Sequence, residues 1–360
     1  MRILTVVGTR PEIIRLSVLI PKLDAHFDHV LVHTGQNHSA NLSDIFFRDL
    51  KVRQPDRFLG VDTSSFAAQL AGLFTGFEQV LDSYQPDRVL ILGDTNSGLL
   101  AYNAKRRQIP VFHMEAGNRC FDDRVPEEVN RKVIDHCSRV LMPYTHRSAA
   151  NLVEEGIARH RIFVTGNPIF EVLNAFEAEI EASDALARHG VEKGEYLLAT
   201  MHRAENVDDP ATFQGLCSAL GRVAAMYDRP LILSVHPRIR DRLTASSFPE
   251  GEVRSIEAMP FFEFVKLQKN AALVLSDSGT VQEECAIYGI PTVTIRETTE
   301  RPETVECGSN LIGTTNPDRI VAAARFLRSQ GTRADWAPPP EYVVPNVSDI
   351  VTKILLGNIP

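Results

Sequence analysis

Two neighbouring segments carry residues suited to gripping a diphosphate. Asp277–Glu284 (DSGTVQEE) follows the apolar run Ala271–Leu275 and opens an apolar-periodic stretch ending near Tyr288-Gly289, a strand–turn–helix pattern. A Ser278-Gly279 turn there would aim unpaired backbone N–H groups and the positive end of a helix at an anion. Glu284, in the early turns of that helix, could accept two hydroxyls of a ribose. Arg301, within Thr298–Glu303 (TTERPE), could add a fixed cation. A turn capped by Ser278 and a surface arginine would explain the same residues structurally, so their weight depends on the rest of the chain.

Three carboxylates lie in positions fit for proton transfer. Asp94 follows the run Val89–Leu92, Glu115 follows Val111–Met114, and Glu127 begins the helical pattern Pro126–Ser138. Acids gathered in a half-closed cleft push one another's pKa apart, giving a protonated and an ionised partner for work on two faces of a carbon. Each also has a structural reading: an Asx-type turn for Asp94, a favourable N-terminal charge for Glu127, and a weaker case for Glu115. Arg10, in Gly8–Glu12 (GTRPE), opens the first helix, where a cation opposes the helix dipole and a bound anion would relieve it. His202 and His236 end two strand patterns of the second half, and either could donate to a diphosphate. There is no G-x-S-x-G elbow, P-loop or G-x-G-x-x-G turn.

The elements that must hold these residues are short β-branched runs alternating with longer helical patterns. Strands are expected at Ile3–Val7, Val30–His33, Val89–Leu92, Val111–Met114 and Val140–Met142. In the second half they fall at Tyr196–Thr200, Leu231–Val235, Val253–Ile256, Leu273–Leu275 and Thr292–Ile295. Among the helices expected between them are Glu12–Ala25, Ser64–Ser83 and Ser97–Arg107, and a short one, Ser348–Leu356, closes the chain. Continuous apolar strands separated by helices imply parallel sheets covered on both faces. The fold class is therefore α/β, with two doubly wound, Rossmann-like domains whose strand C-termini face a cleft.

At 360 residues two domains of roughly 150–180 residues are expected. They are 1–167, bearing the acids, and 168–340, for the nucleotide, with 341–360 a C-terminal helix packing back on the first. The composition, 44% hydrophobic and 23% charged, is that of an ordinary globular protein. A net charge of −8 with scattered Lys and Arg argues against nucleic acid or a membrane surface as partner. No apolar run approaches a membrane span. The N-terminus enters a strand pattern at once, without a signal peptide. Five cysteines lack any CxxC spacing, so reduced thiols in the cytoplasm are expected and a zinc site is not.

With these residues in view, the chain resembles the non-hydrolysing UDP-N-acetylglucosamine 2-epimerase family. The motifs that carry the resemblance are GTRPE, Gly93-Asp94-Thr95, Glu115-Ala116-Gly117, Pro126-Glu127-Glu128 with Asn130-Arg131, Thr165-Gly166-Asn167, His202-Arg203, Asp277–Glu284 and Thr298–Glu303. They run in order through nearly the whole chain. The resemblance implies the GT-B fold, a UDP-activated acetamido sugar as partner, a cytosolic homodimer, and no metal or nicotinamide cofactor. It also implies elimination of UDP from C1, removal of the C2 proton, and re-addition after protonation from the opposite face. Carried over residue by residue, Asp94, Glu115, Glu127 and His202 form the catalytic set. Arg10, Arg15, Arg131, His236, Ser278, Gly279, Thr280, Glu284 and Arg301 form the substrate-binding set.

Some positions depart from the family pattern. Arg15 stands where much of the family has Lys, Ser278-Gly279-Thr280 replaces Ser-Gly-Gly, and Met201-His202 replaces Gly-His. Asn37-His38-Ser39 does not match the Gln-His-Arg-Glu pattern associated with allosteric substrate binding, so that regulation is not expected. The run His113–Asp122 (HMEAGNRCFD), with GTRPEIIRLS and HTGQN, looks most like the branch acting on UDP-2-acetamido-2,6-dideoxy-L-talose. That branch forms UDP-N-acetyl-L-fucosamine for surface polysaccharide; UDP-GlcNAc and UDP-ManNAc are the other expected pair. Three alternatives share parts of the pattern: a GT-B glycosyltransferase, a non-catalytic nucleotide-sugar sensor, and a hydrolysing variant that releases UDP.

Overall fold

Runs such as Arg2–Val7 (RILTVV) and Arg88–Leu92 (RVLIL) are apolar on both faces and form strands buried on both sides. The computed structural model describes residues 1–36, 46–243, 248, 250–331 and 336–357, so Asn37-His38-Ser39 lies outside the described residues. The first unit, Met1–Ala175 with Glu341–Pro360, holds β1 (Arg2–Val7), β2 (Asp28–His33), β3 (Arg57–Phe58), β4 (Arg88–Leu92), β5 (Val111–Met114) and β6 (Val140–Met142). The second unit, Phe176–Pro340, holds β7 (Leu197–Met201), β8 (Leu231–Val235), β9 (Val253–Glu257), β10 (Leu273–Ser276), β11 (Thr292–Thr294) and β12 (Asn310–Ile312).

The sheet orders are β3-β2-β1-β4-β5-β6 and β12-β11-β10-β7-β8-β9. Pairing is parallel throughout, with Val6 opposite Ile91 where β1 meets β4 and Ser276 opposite Thr200 where β10 meets β7. Counted from its own first strand, each unit has the order 3-2-1-4-5-6 of a Rossmann fold. Its ligand crevice lies beyond the carboxyl ends of strands 1 and 4. Those ends are Gly8-Thr9-Arg10 and Gly93-Asp94-Thr95 in the first unit, and His202-Arg203 and Asp277-Ser278-Gly279 in the second.

Helices cover the sheets. In the first unit Phe66–Tyr84 and Leu100–Arg106 bury Leu73, Phe77, Leu100 and Ala104 against Leu4, Val6 and Ile91. In the second, Pro210–Tyr227 and Pro317–Gln330 cover Leu197, Ala199 and Leu273 on one face. Leu267 and Val281 lie against Tyr196 and Leu198 on the other. Each fully buried Leu or Phe contributes about 1.5–3 kcal/mol. Pro210 and Pro317 sit in first turns capped by Asp209 and Asn316, whose side chains accept backbone N–H groups. Among the described residues no helix is long and apolar enough to cross a membrane.

The structure differs from expectation in three places. The helix expected over Glu12–Ala25 is broken into Arg10–Leu16 and Leu19–His26. Pro21 cannot donate to the Ser17 carbonyl and its ring crowds it, while Ser17 Oγ bonds Ile14 O at 2.7 Å. Strands β3 and β12 went unpredicted because edge strands of two and three residues leave no periodicity. Finally, Ile169–Ala175, placed beyond the expected boundary, groups with the first unit. In that unit the terminal helix Val347–Leu356 is tied down by Ser348 N to Glu171 at 2.8 Å and by Arg88 donating to Gly357 O at 2.9 Å.

Candidate active site

Each unit gathers its own cluster at the strand ends, and the two differ in chemistry. In the first unit β5 is followed by Glu115, whose φ of 66° puts a non-glycine residue in the left-handed region. That turn drives the carboxylate inward, where it is only 6% exposed. Arg15 Nη1 donates to Glu115 Oε2 at 2.5 Å, Asn118 Nδ2 to Oε1 at 3.1 Å, and Tyr144 Oη to Oε2 at 3.4 Å. The Arg15 guanidinium also lies over the Tyr144 ring at 5.8 Å.

Asp94, past the end of β4, is half-buried and accepts from Arg131 Nε at 2.8 Å, with Arg131 Nη2 in ion-pair contact at 2.7 Å. Arg131 also donates from Nη1 to Glu128 at 2.6 Å, so one guanidinium joins the helix Pro126–Cys137 to the Asp94 turn. Asn130 adds a bond to the Asp94 carbonyl at 3.0 Å. Glu127 is the acid expected here, and its neighbour Glu128 bonds Arg131. Burial opposes its ionisation, yet the Cys120 amide and Arg131 hold its pKa below the ordinary value. Glu127 stays half-buried in the first helical turn. Arg10 is half-buried over the Phe46 ring at 5.6 Å, and burial lowers its pKa.

Glu12 was missed as a site residue. Its carboxylate accepts from Gly8 N, from Thr9 N at 3.0 Å and from Thr95 Oγ1 at 2.7 Å, tying the loops after β1 and β4 together. Burial pushes its pKa up to about 7 against those hydrogen bonds, with Asp94 adding to the rise. The signal in the sequence was the position of Glu12 three residues after Thr9, a capping-box spacing.

The second unit is organised around Asp277, the last residue before the Ser278 turn. Its Oδ2 accepts from His202 N at 2.8 Å, Arg203 N at 2.9 Å and Asn206 Nδ2 at 3.1 Å, and its Oδ1 lies 2.9 Å from His202 Nδ1. Burial resists the charge, but His202 and the two amides outweigh it and hold the carboxyl well below the usual carboxylate range. Asp277 also orients the ring of His202, which stands 5.8 Å from that of His236.

Ser278 is the N-cap of the helix Gly279–Tyr288. A Cβ at Gly279 would lie 2.8 Å from Glu300 Oε1, so the loop bearing Arg301 passes directly over the helix start. Arg301 is buried, with Nε donating to Glu283, Nη1 donating to Glu300 O at 3.2 Å, and its amide bonded to Thr299 Oγ1 at 3.0 Å. Gln282 accepts from Thr299 at 2.7 Å and from Asn310 at 3.1 Å, while Arg296 Nη1 donates to Glu300 at 2.9 Å. Glu284 is buried in the same helix and Thr280 half-buried at its first turn. The first unit thus forms two ion pairs, Arg15 with Glu115 and Arg131 with Asp94. The second brings Ser278, Gly279 and Arg301 together around one helix start, with His202 fixed to Asp277.

The UDP-N-acetylglucosamine 2-epimerase family model matches residues 21–356. The UDP-N-acetylglucosamine 2-epimerase of Methanocaldococcus jannaschii is 37% identical over 349 residues, covering 94% of this chain and 95% of the relative. The UDP-2,3-diacetamido-2,3-dideoxy-D-glucuronate 2-epimerase of Pseudomonas aeruginosa is 35% identical over 330 residues, covering 90% of this chain and 92% of the relative. The crystal structure of the M. jannaschii UDP-GlcNAc 2-epimerase in complex with UDP-GlcNAc and UDP matches with a TM-score of 0.91 at 34% identity, covering 99% of each chain. The two doubly wound sheets are accordingly Rossmann-like domains of the GT-B type.

Proposed function

The chain belongs to the UDP-N-acetylglucosamine 2-epimerase family and is a UDP-sugar 2-epimerase; we propose that it inverts C2 of a UDP-activated 2-acetamido sugar by elimination and re-addition of UDP. The observation that carries this reading is the pair of guanidinium-braced acids, Glu115 with Arg15 and Asp94 with Arg131. A nucleotide-sugar sensor has no use for them.

The C2 hydrogen of a hexose is not acidic enough for direct removal. When the C1–O bond to UDP breaks, its electron pair leaves with the diphosphate and positive charge develops at C1. The C2 proton then passes to a carboxylate, and its bonding pair forms the C1=C2 bond of a glycal. Protonation of C2 from the other face and return of UDP to C1 give the epimer. Asp94, Glu115 and Glu127 are the acids assigned to the two faces. The positive end of the helix Gly279–Tyr288, Arg301 and His202 suit the charge that gathers on the departing UDP. Glu284 suits the ribose, and Arg10, Arg15, Arg131, His236 and Thr280 complete the substrate set.

Within this reading the sugar is UDP-2-acetamido-2,6-dideoxy-L-talose, converted to UDP-N-acetyl-L-fucosamine, or else the UDP-GlcNAc/UDP-ManNAc pair, for surface polysaccharide in the cytoplasm. Neither a metal ion nor a nicotinamide is assigned a role. A homodimer is proposed as well, supported by exposed Phe66, Tyr102, Val129 and Val133 on packed neighbouring helices of the first unit. The domain roles follow: acids from 1–167, nucleotide groups from 168–340. The test is incubation in deuterium oxide with each UDP-sugar separately, followed by proton NMR. Loss of the C2 proton signal identifies the substrate. Turnover without deuterium at C2 would sink the mechanism and favour the glycosyltransferase alternative.

A further inference from the structure

Glu115 and Asp94 follow different strands, and one buried ring links their turns, meeting the Asp94 turn directly and the Glu115 turn through Asp135. His113, on β5 and 1% exposed, places Nε2 2.9 Å from Gly93 O, the carbonyl just before Asp94. Its Nδ1 lies 2.8 Å from Asp135 Oδ1, on the helix Pro126–Cys137. Asp135, wholly buried, uses its other oxygen to accept from Gly117 N at 3.1 Å, two residues past Glu115, and from Arg119 Nη2 at 2.8 Å. Arg119 in turn donates from Nη1 to Asn118 O at 2.7 Å and from Nε to Glu155 at 2.8 Å, while Asn118 Nδ2 holds Glu115 Oε1. A Cβ at Gly117 (φ 77°) would lie 2.2 Å from Ser148 O, so only glycine lets this turn pack directly on the helix His146–Glu154.

Both ring nitrogens of His113 meet oxygens that can only accept, a carboxylate and a carbonyl. That arrangement suits a ring that donates from both nitrogens. The charged groups joined to it form a closed set, with Asp135 balancing His113 and Glu155 balancing Arg119. Burial works against a charge on Asp135, but His113 and Arg119 hold its pKa below the ordinary value. A left-handed Glu115 persists only where its surroundings over-determine the backbone, and this network does so from the strand, the helix and the neighbouring turn at once.

We propose that His113 and Asp135 are positioning residues for the epimerisation, a doubly protonated imidazole and its carboxylate that set where Glu115 stands relative to Asp94. The proposal rests on the reading of those two acids as the acid/base groups. Neither His113 nor Asp135 needs to touch the sugar. Displacing one acid turn by a fraction of an ångström weakens proton transfer while leaving nucleotide contacts in the second unit intact.

Two independent measurements test this. Long-range nitrogen–proton correlation spectra of histidine-labelled protein should show both His113 nitrogens protonated; a neutral ring with one proton overturns the assignment. The His113→Asn and Asp135→Asn variants, checked for an intact fold by near-UV circular dichroism, should lose roughly tenfold to a hundredfold in kcat, with KM and the Kd for UDP moving less than about threefold. If His113→Asn fails to fold, Asp135→Asn, which keeps the side chain's shape, decides alone. A folded variant with unchanged kcat, or an equal loss in UDP affinity, overturns the positioning role. Should the wild-type protein turn over no UDP-sugar, the catalytic reading falls and takes the positioning role with it, while the proton count of the ring still stands or falls on the spectra.

Discussion

The two crevices use the same device with opposite outcomes. In each unit a buried carboxylate accepts two successive backbone amides of the loop after the unit's first strand: Gly8 and Thr9 bond Glu12, while His202 and Arg203 bond Asp277. Glu12 is nevertheless pushed up to about 7 by burial with Asp94 nearby, whereas Asp277 faces His202 and stays far below the usual carboxylate range. The neighbouring charge decides, because both groups are fully buried and both are hydrogen-bonded. The roles of acids invert accordingly. In the first unit arginines 15 and 131 serve carboxylates; in the second, Asp277, Glu283 and Glu300 serve His202, Arg301 and Arg296.

This contrast can be broken at its strongest point by Glu115→Gln. The amide cannot exchange the C2 proton, and kcat should fall by about 10²–10⁴ in steady-state assays, with UDP affinity by calorimetry nearly unchanged. Equal losses in both would mean that the first unit's acids also hold the nucleotide. Asp277→Ala should act in the opposite way. It strips the half-buried His202 of its carboxylate partner and two backbone amides of their acceptor, destabilising the fold by about 1–3 kcal/mol in denaturant titration. A change under 1 kcal/mol would show that the second unit does not depend on its carboxylate as described.

The smallest effect is in pH dependence. Glu12 is raised in the folded state, so its contribution is full below about 4.5 and declines as pH rises toward about 7. Asp277 is depressed, so its contribution is full above its ordinary value of 3.8 and is lost as pH falls below it. Glu12→Gln should therefore flatten the stability slope between about pH 4.5 and 7 while leaving the acid limb alone. Unchanged slopes in both windows would remove the distinction between the two carboxylates.

Much of the architecture was legible because its signals are local. Continuous apolar runs mark parallel strands covered on both faces, and Arg10, Asp94, Glu115, His202 and Ser278 follow those runs directly. Strand ends point at the crevice of a doubly wound sheet whatever the side chains do later. Edge strands Arg57–Phe58 and Asn310–Ile312 were illegible because so few residues make no pattern. The break at Ser17-Val18 was legible in principle from Pro21, but the apolar periodicity running through it hid the signal. Asp277 stood inside a quoted motif, and its part was concealed because it bonds a loop 74 residues earlier.

Residue order alone settled the alternation of elements, the two-unit plan and the polar residues at strand ends, since helix and strand periodicity need only near neighbours. Pairing was decided by the fold: Arg15 reaches Glu115 across 100 residues, and Arg131 meets both Glu128 on its own helix and Asp94 on a different turn. Such partners depend on strand register and on which helix crosses which crevice, and with burial common to both, the neighbouring charge then sets whether a carboxylate like Glu12 holds its proton or one like Asp277 gives it up.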